Sequence, residues 1–350
     1  SQSPSPTELN YDVRVVTFNG AGERQSNDVL VHDVSTGQQL QPTIMTLADG
    51  RFLVGWTDGT TTTNGKISAQ IFDARIAGVT LNGTAGNDHY VGTAFIDRLD
   101  GGAGNDRLVG GDGNDVLYAG AGQDTIDGGR GADYVDYARS VTGVGVTVDL
   151  VDQSQNKGDA AGDHYLEVEN ITGTPWDDVL YGTDDVNELN GGDGADILVG
   201  RDGGDTLNGG EGFDYASYED APAGVFARLN KGEGGSLGPD LNDNDALGDV
   251  WISIEGLIGS AFEDHLWGGI NDNILIGGGG DDQLSGFGGS DTLEGGVGAD
   301  LLLGGEGIDY ANYAHAQAGV TVYLRNVIQL PGFVHTSFTK GSWVKLICPG

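Results

Sequence analysis

From Gly83 onward the chain repeats itself every nine residues, and within three long stretches the repeat never slips. The first stretch reads GTAGNDHYV, GTAFIDRLD, GGAGNDRLV, GGDGNDVLY, AGAGQDTID and GGRGADYVD, starting at residue 83. The second starts at 173 with GTPWDDVLY, GTDDVNELN, GGDGADILV, GRDGGDTLN and GGEGFDYAS. The third starts at 259 with GSAFEDHLW, GGINDNILI, GGGGDDQLS, GFGGSDTLE, GGVGADLLL and GGEGIDYAN. Of these seventeen units, sixteen open with Gly, Ala119 being the exception. Fifteen carry Asp at the sixth position and two carry Asn, Asn187 and Asn273. The eighth position is Leu, Ile, Val or Tyr in fifteen, with Ala216 and Ala311 in the others. A disordered Gly/Asp linker has no reason to hold an acid and an apolar residue two apart at a fixed period.

The residue types dictate what one unit does. The Gly-rich half tolerates φ > 0 and presents backbone carbonyls without Cβ clashes. The last three residues form a short strand whose single large apolar side chain points to one face. One unit cannot bury that side chain, but stacked units can. Two units make one flattened coil of about 18 residues, so turns on the same edge come from units i and i+2. Neighbouring parallel strands lie about 4.8 Å apart. Two carboxylates at that distance repel by roughly 3 kcal/mol at an effective dielectric near 20, so a column of them requires a cation between. Carboxylate and carbonyl oxygens select a hard cation. The tolerant six-to-eight-oxygen shell of Ca²⁺ suits such a site better than the tight octahedron of Mg²⁺. His and Cys are nearly absent from the turn positions, which argues against Zn²⁺.

These G-G-x-G-x-D-x-U-x units resemble RTX repeats, the haemolysin-type calcium-binding nonapeptides. The resemblance implies an all-β chain of parallel β-rolls with Ca²⁺ lodged between successive turns on each edge. It implies ligands from the sixth-position side chains of two stacked turns, and from carbonyls at positions 2 and 4 of one turn and 1 and 3 of the next. Carried onto this chain, the stacked sets are Asp88, Asp106 and Asp124, then Asp97, Asp115 and Asp133, in the first array. The second array stacks Asp178, Asp196 and Asp214, and Asn187 with Asp205. The third stacks Asp264, Asp282 and Asp300, then Asn273, Asp291 and Asp309. The carbonyl donors at positions 2 and 4 are Gly102, Gly104, Gly111, Gly113, Gly120, Gly122, Gly192, Gly194, Gly278 and Gly280. The gaps between paired turns number at most about 11, an upper bound on the ions. Position 4 departs from Gly at Phe95, Trp176, Asp185, Phe262 and Asn271, early in each array. Phe95, Trp176 and Phe262 are expected to plug the open end of each roll rather than to stack on a sugar.

The organisation expected is an N-terminal β module (1–82), rolls at 83–136, 173–217 and 259–312, connectors at 137–172 and 218–258, a partial connector at 313–324 and an atypical tail at 325–350. In the first module, 11–18, 27–34, 39–47, 51–58 and 66–73 read as short strands, with Asp49-Gly50 as a hairpin turn. The connectors carry strand patterns at 145–150, 224–229 and 319–324, then the apolar approaches GDHYLEVENITG and GDVWISIEGLIG. Their alternation suits antiparallel strands covering a roll end. The tail has Arg325, Lys340, Lys345 and the single Cys348 but no acid, as a foreign or out-of-frame end would. Asp243-x-Asp245-x-Leu247-Gly248 imitates an EF-hand loop only in part.

Charge and motifs narrow the function. With 16 Lys+Arg against 53 Asp+Glu the net charge is −37, which disfavours nucleic-acid or anionic-lipid partners. One Cys excludes internal disulfides, and no apolar run is long enough to span a membrane. Residues Ser1–Pro6 show neither a basic nor an apolar leader pattern. No H-E-x-x-H or G-x-S-x-G occurs, so no catalysis is expected from this chain. His89 and His265 fall at position 7, expected to face solvent. The resemblance implies a calcium-binding structural module of a secreted or cell-surface bacterial protein, exported by type I secretion machinery and folding on Ca²⁺ outside the cell. The alternatives are the C-terminal accessory region of a secreted protease, lipase or alginate epimerase, and an adhesin or polysaccharide-binding segment.

Overall fold

A computed structural model describes residues 77–229 and 246–315 without interruption, together with 13–16, 29–30, 39–47, 50–58, 66–73, 75 and 343–347. The chain is all-β, and its repeats wind into a parallel β-solenoid of about 12 turns. Each nonapeptide contributes one strand, and each strand pairs in parallel with the strand two units away. Thus Leu117 pairs with Leu99, and Leu198 with Leu180. Burial follows from the pattern: the eighth-position side chains Leu99, Leu108, Leu117, Ile126, Val135, Leu180, Leu189, Leu198, Leu207, Leu266, Leu275, Leu284 and Leu293 are fully shielded. They form one continuous core.

The connectors do not cap the rolls. Instead of antiparallel covers, they supply further parallel turns of the same solenoid, and the sheets overlap like bricks. Strand Asn170–Thr172 lies between Tyr134–Asp136 of the first roll and Glu188–Gly194 of the second. This makes one eight-stranded sheet from Thr80–Thr84 to Val250–Ile252. On the opposite face, Thr147–Asp149 leaves the first connector and starts a new sheet against Val179–Tyr181. That sheet runs through Gly256–Ile258 of the second connector into the third roll, nine strands in all. Meanwhile His164–Leu166 closes the four-stranded sheet of the first roll. The antiparallel expectation failed because alternation reports that one face is buried, and a parallel solenoid strand meets that condition as well as a covering strand does.

The expected plugs are likewise not plugs. Phe95 and Phe262 are 45 % and 48 % exposed, and Trp176 is half-buried. At the starts of the second and third rolls connector strands, Thr147–Asp149 and Phe226–Arg228, already pair with the first roll strand, so no open end is left there for Trp176 or Phe262 to seal.

All five expected strands of the first module occur, as Arg14–Val15, Val29–Leu30, Gln39–Thr46, Phe52–Asp58 and Lys66–Phe72. The last three form an antiparallel sheet, and the turn between its first two strands carries Gly50 at φ +86°. A small separate core contains Val13, Val15, Val54 and Trp56. At the far end, Trp343–Ile347 adds antiparallel to Ile308–Asn312. The expected strand at 319–324, Cys348, Asp49 and the acids of the EF-hand-like stretch lie outside the described residues.

Candidate metal centres

The turn geometry begins with two distinct uses of glycine. At positions 2 and 4 the backbone is left-handed, as at Gly111 (φ +115°) and Gly113 (φ +135°), a region that penalises any Cβ. At position 1 the constraint is space. A Cβ on Gly110 would come within 3.0 Å of both Asp115 Oδ2 and the Gly128 carbonyl oxygen, one turn further on. Gly101, Gly191, Gly277 and Gly286 stand in the same relation to their own Asp and to the next turn's carbonyl. The missing Cβ keeps open a small gap lined by oxygen. The expected carbonyl donors fall in these turns, and all of them except Gly122 have positive φ.

Each stacked set expected from the sequence is assembled in space. Asp97 N–H donates to Asp115 Oδ1 (2.8 Å), and Asp115 N–H to Asp133 Oδ1 (2.7 Å). The same bond links Asp88 to Asp106 and Asp106 to Asp124. It links Asp178 to Asp196, Asp196 to Asp214 and Asn187 to Asp205. In the third array it links Asp264 to Asp282, Asp282 to Asp300, Asn273 to Asp291 and Asp291 to Asp309. Oδ1 is thus consumed by the backbone of the neighbouring turn. The other oxygen is not: Oδ2 of Asp106, Asp115, Asp124, Asp133, Asp196, Asp214, Asp282, Asp291 and Asp309 is buried without a hydrogen-bond partner.

A buried anionic oxygen with no donor is costly, and the titration behaviour reflects it. Burial pushes the carboxyls of Asp115, Asp196, Asp282 and Asp291 up to about 7. Asp124, Asp133 and Asp214 rise to about 6 for the same reason. Among the described residues no three His, Cys, Asp or Glu side chains converge. The gaps instead combine carboxylate oxygens with main-chain carbonyls, which fits a hard, oxygen-seeking cation.

The ends of the columns are built differently. In opening units a hydroxyl satisfies the acid: Thr174 N–H and Oγ1–H donate to Asp178 (2.5 and 2.8 Å). Thr93 with Asp97, Ser260 with Asp264 and Thr84 with Asp88 repeat this. The two Asn residues are also engaged. Oδ1 of Asn187 and of Asn273 accepts a backbone N–H four residues earlier, and Nδ2 donates to the Glu169 or Glu255 carbonyl.

Sequence reasoning missed the connector acids. Asp163 Oδ1 accepts the Asp124 N–H, and its Oδ2 accepts the Tyr137 hydroxyl proton (2.6 Å). Asp249 takes the same place above Asp205, under Tyr218. Glu169 and Glu255 take the N–H of Asp133 and Asp214. The available clue was the paired spelling of the connectors, G-D-H-Y-x₃-E against G-D-V-W-x₃-E, which places the same two acids at the same spacing in both. Fifth-position side chains were missed too: Asn87, Asn114, Asp177 and Asp272 each accept the fifth-position N–H of the next turn.

A parallel solenoid with buried, unpaired carboxylate oxygens stacked along both edges defines a cation-binding repeat protein. The family model for the RTX calcium-binding nonapeptide repeat (four copies) matches residues 82–117, 101–135, 172–216, 257–284 and 277–311, and the chain belongs to that family across these segments. The repeats therefore bind calcium, and the solenoid they build is a structural module. No curated protein matches the chain. Among the described residues no helix is long and apolar enough to cross a membrane.

Proposed function

We propose that this chain is a calcium-gated structural module of a bacterial protein that works outside the cell or on its surface. The observation that carries the reading is the row of buried Oδ2 atoms without donors. Calcium, when bound, supplies the positive charge that those oxygens lack. The ligands are the paired sixth-position acids together with the first- to fourth-position carbonyls of adjoining turns, including those of the ten glycines named above. Up to about 11 ions would bring the net charge from −37 to about −15. The opening hydroxyl–carboxylate pairs hold the first turn of each array in shape, and the glycines keep the gaps open. Residues 83–136, 173–217 and 259–312 are the calcium-loaded parts, and the two connectors join them.

Extracellular modules bind calcium at roughly 10⁻⁴–10⁻³ M. Such affinity leaves the chain expanded in the cytosol, where its acids repel, and folds it outside, because binding energy becomes folding energy when the unfolded chain has no site. That switch suits passage through type I secretion machinery. Circular dichroism in excess EDTA is expected to lose the β signal seen in millimolar calcium. An identical spectrum in both would refute the switch.

A further inference from the structure

The structure assigns two further cation sites, one at each joint between rolls, completed by connector residues that carry no nonapeptide pattern. They rest on the calcium reading above. The first lies between Asp133 and the Glu167–Glu169 segment, the second between Asp214 and the Ser253–Glu255 segment.

Three features mark a gap inside a roll, and the Asp115 gap shows them. The lower acid keeps a buried, unpartnered Oδ2. The first-position carbonyl of the next turn faces it across the space left by Gly110. The next turn's acid accepts the lower acid's N–H. Both joints reproduce all three. Asp133 and Asp214 are completely buried, and Oδ2 of each has no partner. A Cβ on Gly128 would come within 3.0 Å of Asp133 Oδ2 and the Glu167 carbonyl oxygen, and one on Gly209 within 3.0 Å of Asp214 Oδ2 and the Ser253 carbonyl oxygen. Glu169 Oε2 accepts the Asp133 N–H at 2.9 Å, and Glu255 Oε2 the Asp214 N–H at 3.1 Å.

The connector achieves this by a shorter route. Within a roll, five residues carry the chain from the first-position carbonyl to the acid. In the connector only two do, and the longer Glu side chain spans what the missing loop does not. The backbone is held to the task by left-handed conformations at Glu167 (φ +47°) and Ser253 (φ +49°), the same place in both connectors and uncommon for residues with a Cβ. Above each joint the column stops: Asn187 Nδ2 donates to the Glu169 carbonyl at 2.6 Å, and Asn273 Nδ2 to the Glu255 carbonyl at 2.9 Å. An amide there removes the need for another cation. Glu167, Glu169, Ser253 and Glu255 all lie outside the segments matched by the repeat family. The all-oxygen donors select the same hard divalent ion. Because Asn170–Thr172 and Gly256–Ile258 follow directly and carry the sheets into the next roll, an ion at the joint couples the loading of one roll to the next.

The test is a count of bound calcium by equilibrium dialysis with radioactive calcium at saturating concentration. It compares the full chain with Glu169→Gln, Glu255→Gln and the double variant. Each single variant is expected to lose one ion and the double variant two. Equal counts in all four proteins would overturn the inference. Anomalous diffraction from the unsubstituted, calcium-loaded chain needs no variant to fold, and it should place a peak at each joint beside those inside the rolls. Peaks inside the rolls with none at the joints would overturn this inference alone. A full chain that binds no calcium would overturn the calcium reading and this one together.

Discussion

A single glycine in this chain answers to one of two masters, strain or space, and the two are separable by substitution. Gly143 has φ +78° and nothing within 4 Å of a Cβ. Gly143→Ala therefore meets only the left-handed penalty and is expected to cost about 1 kcal/mol. Gly110 has no such φ, but its Cβ would press on Asp115 Oδ2 and the Gly128 carbonyl. Gly110→Ala is expected to close that gap, lose one bound ion and cost about 2–3 kcal/mol of calcium-loaded stability. Denaturant unfolding in millimolar calcium, beside a calcium count, distinguishes the two. Two position-2 residues, Arg201 (φ +72°) and Phe287 (φ +69°), adopt the left-handed region without being glycine. Arg201 is held there by Asp149 at 2.8 Å. Phe287 meets Trp267 edge-on.

At the scale of the element, one turn is stabilised by its buried apolar side chain and by whatever meets its acid. Leu117 is completely shielded within a ladder of like residues. Leu117→Ala is expected to cost about 2–5 kcal/mol, read from the unfolding midpoint with calcium present. The connector turns meet their acids differently. The Tyr137 hydroxyl donates a hydrogen bond to the buried Asp163, so a neutral phenol stands where the proposed sites in the rolls would hold a cation. Tyr137→Phe leaves that carboxylate oxygen without its donor, at an expected cost of about 1–3 kcal/mol. The calcium count should not fall, since in the unsubstituted protein the tyrosine meets Asp163 Oδ2. A loss of ions in this variant would mean that the tyrosine and a metal share the site.

For the whole molecule, the proposed calcium sites set protons and calcium in competition for the same oxygens. The unfolded carboxyls titrate near 3.9, whereas Asp115, Asp196, Asp282 and Asp291 are raised by burial to about 7 in the metal-free fold. Raised folded values mean that the folded state binds protons more tightly than the unfolded one. Protonation therefore stabilises the metal-free solenoid fully below about pH 4, and that contribution disappears as pH rises through 6 to 7. In EDTA the β signal is expected to grow as pH falls from 7.5 to 4, and in calcium the apparent affinity is expected to weaken over the same descent. A circular-dichroism titration in EDTA, paired with calcium binding at pH 7.5 and 5.5, checks both halves. A metal-free chain that is more folded at pH 7.5 than at pH 4 would contradict the burial of these acids.

The period of nine was enough to determine the strand, the coil of two units, the apolar ladder and the pairing of acids such as Asp97, Asp115 and Asp133. All of these follow from local residue order and from the stacking that a parallel ribbon forces. The first module's five strands were equally legible, because alternation and turn residues are local marks. What the order of residues did not determine is how the arrays join. Whether Asn170–Thr172 covers a roll or continues it depends on which strand offers unpaired backbone groups at that edge, and only the assembled solenoid decides that. The same holds for Glu169 and Glu255. They are ordinary acids in an irregular stretch until folding sets them against Asp133 and Asp214, thirty-six and forty-one residues earlier in the chain.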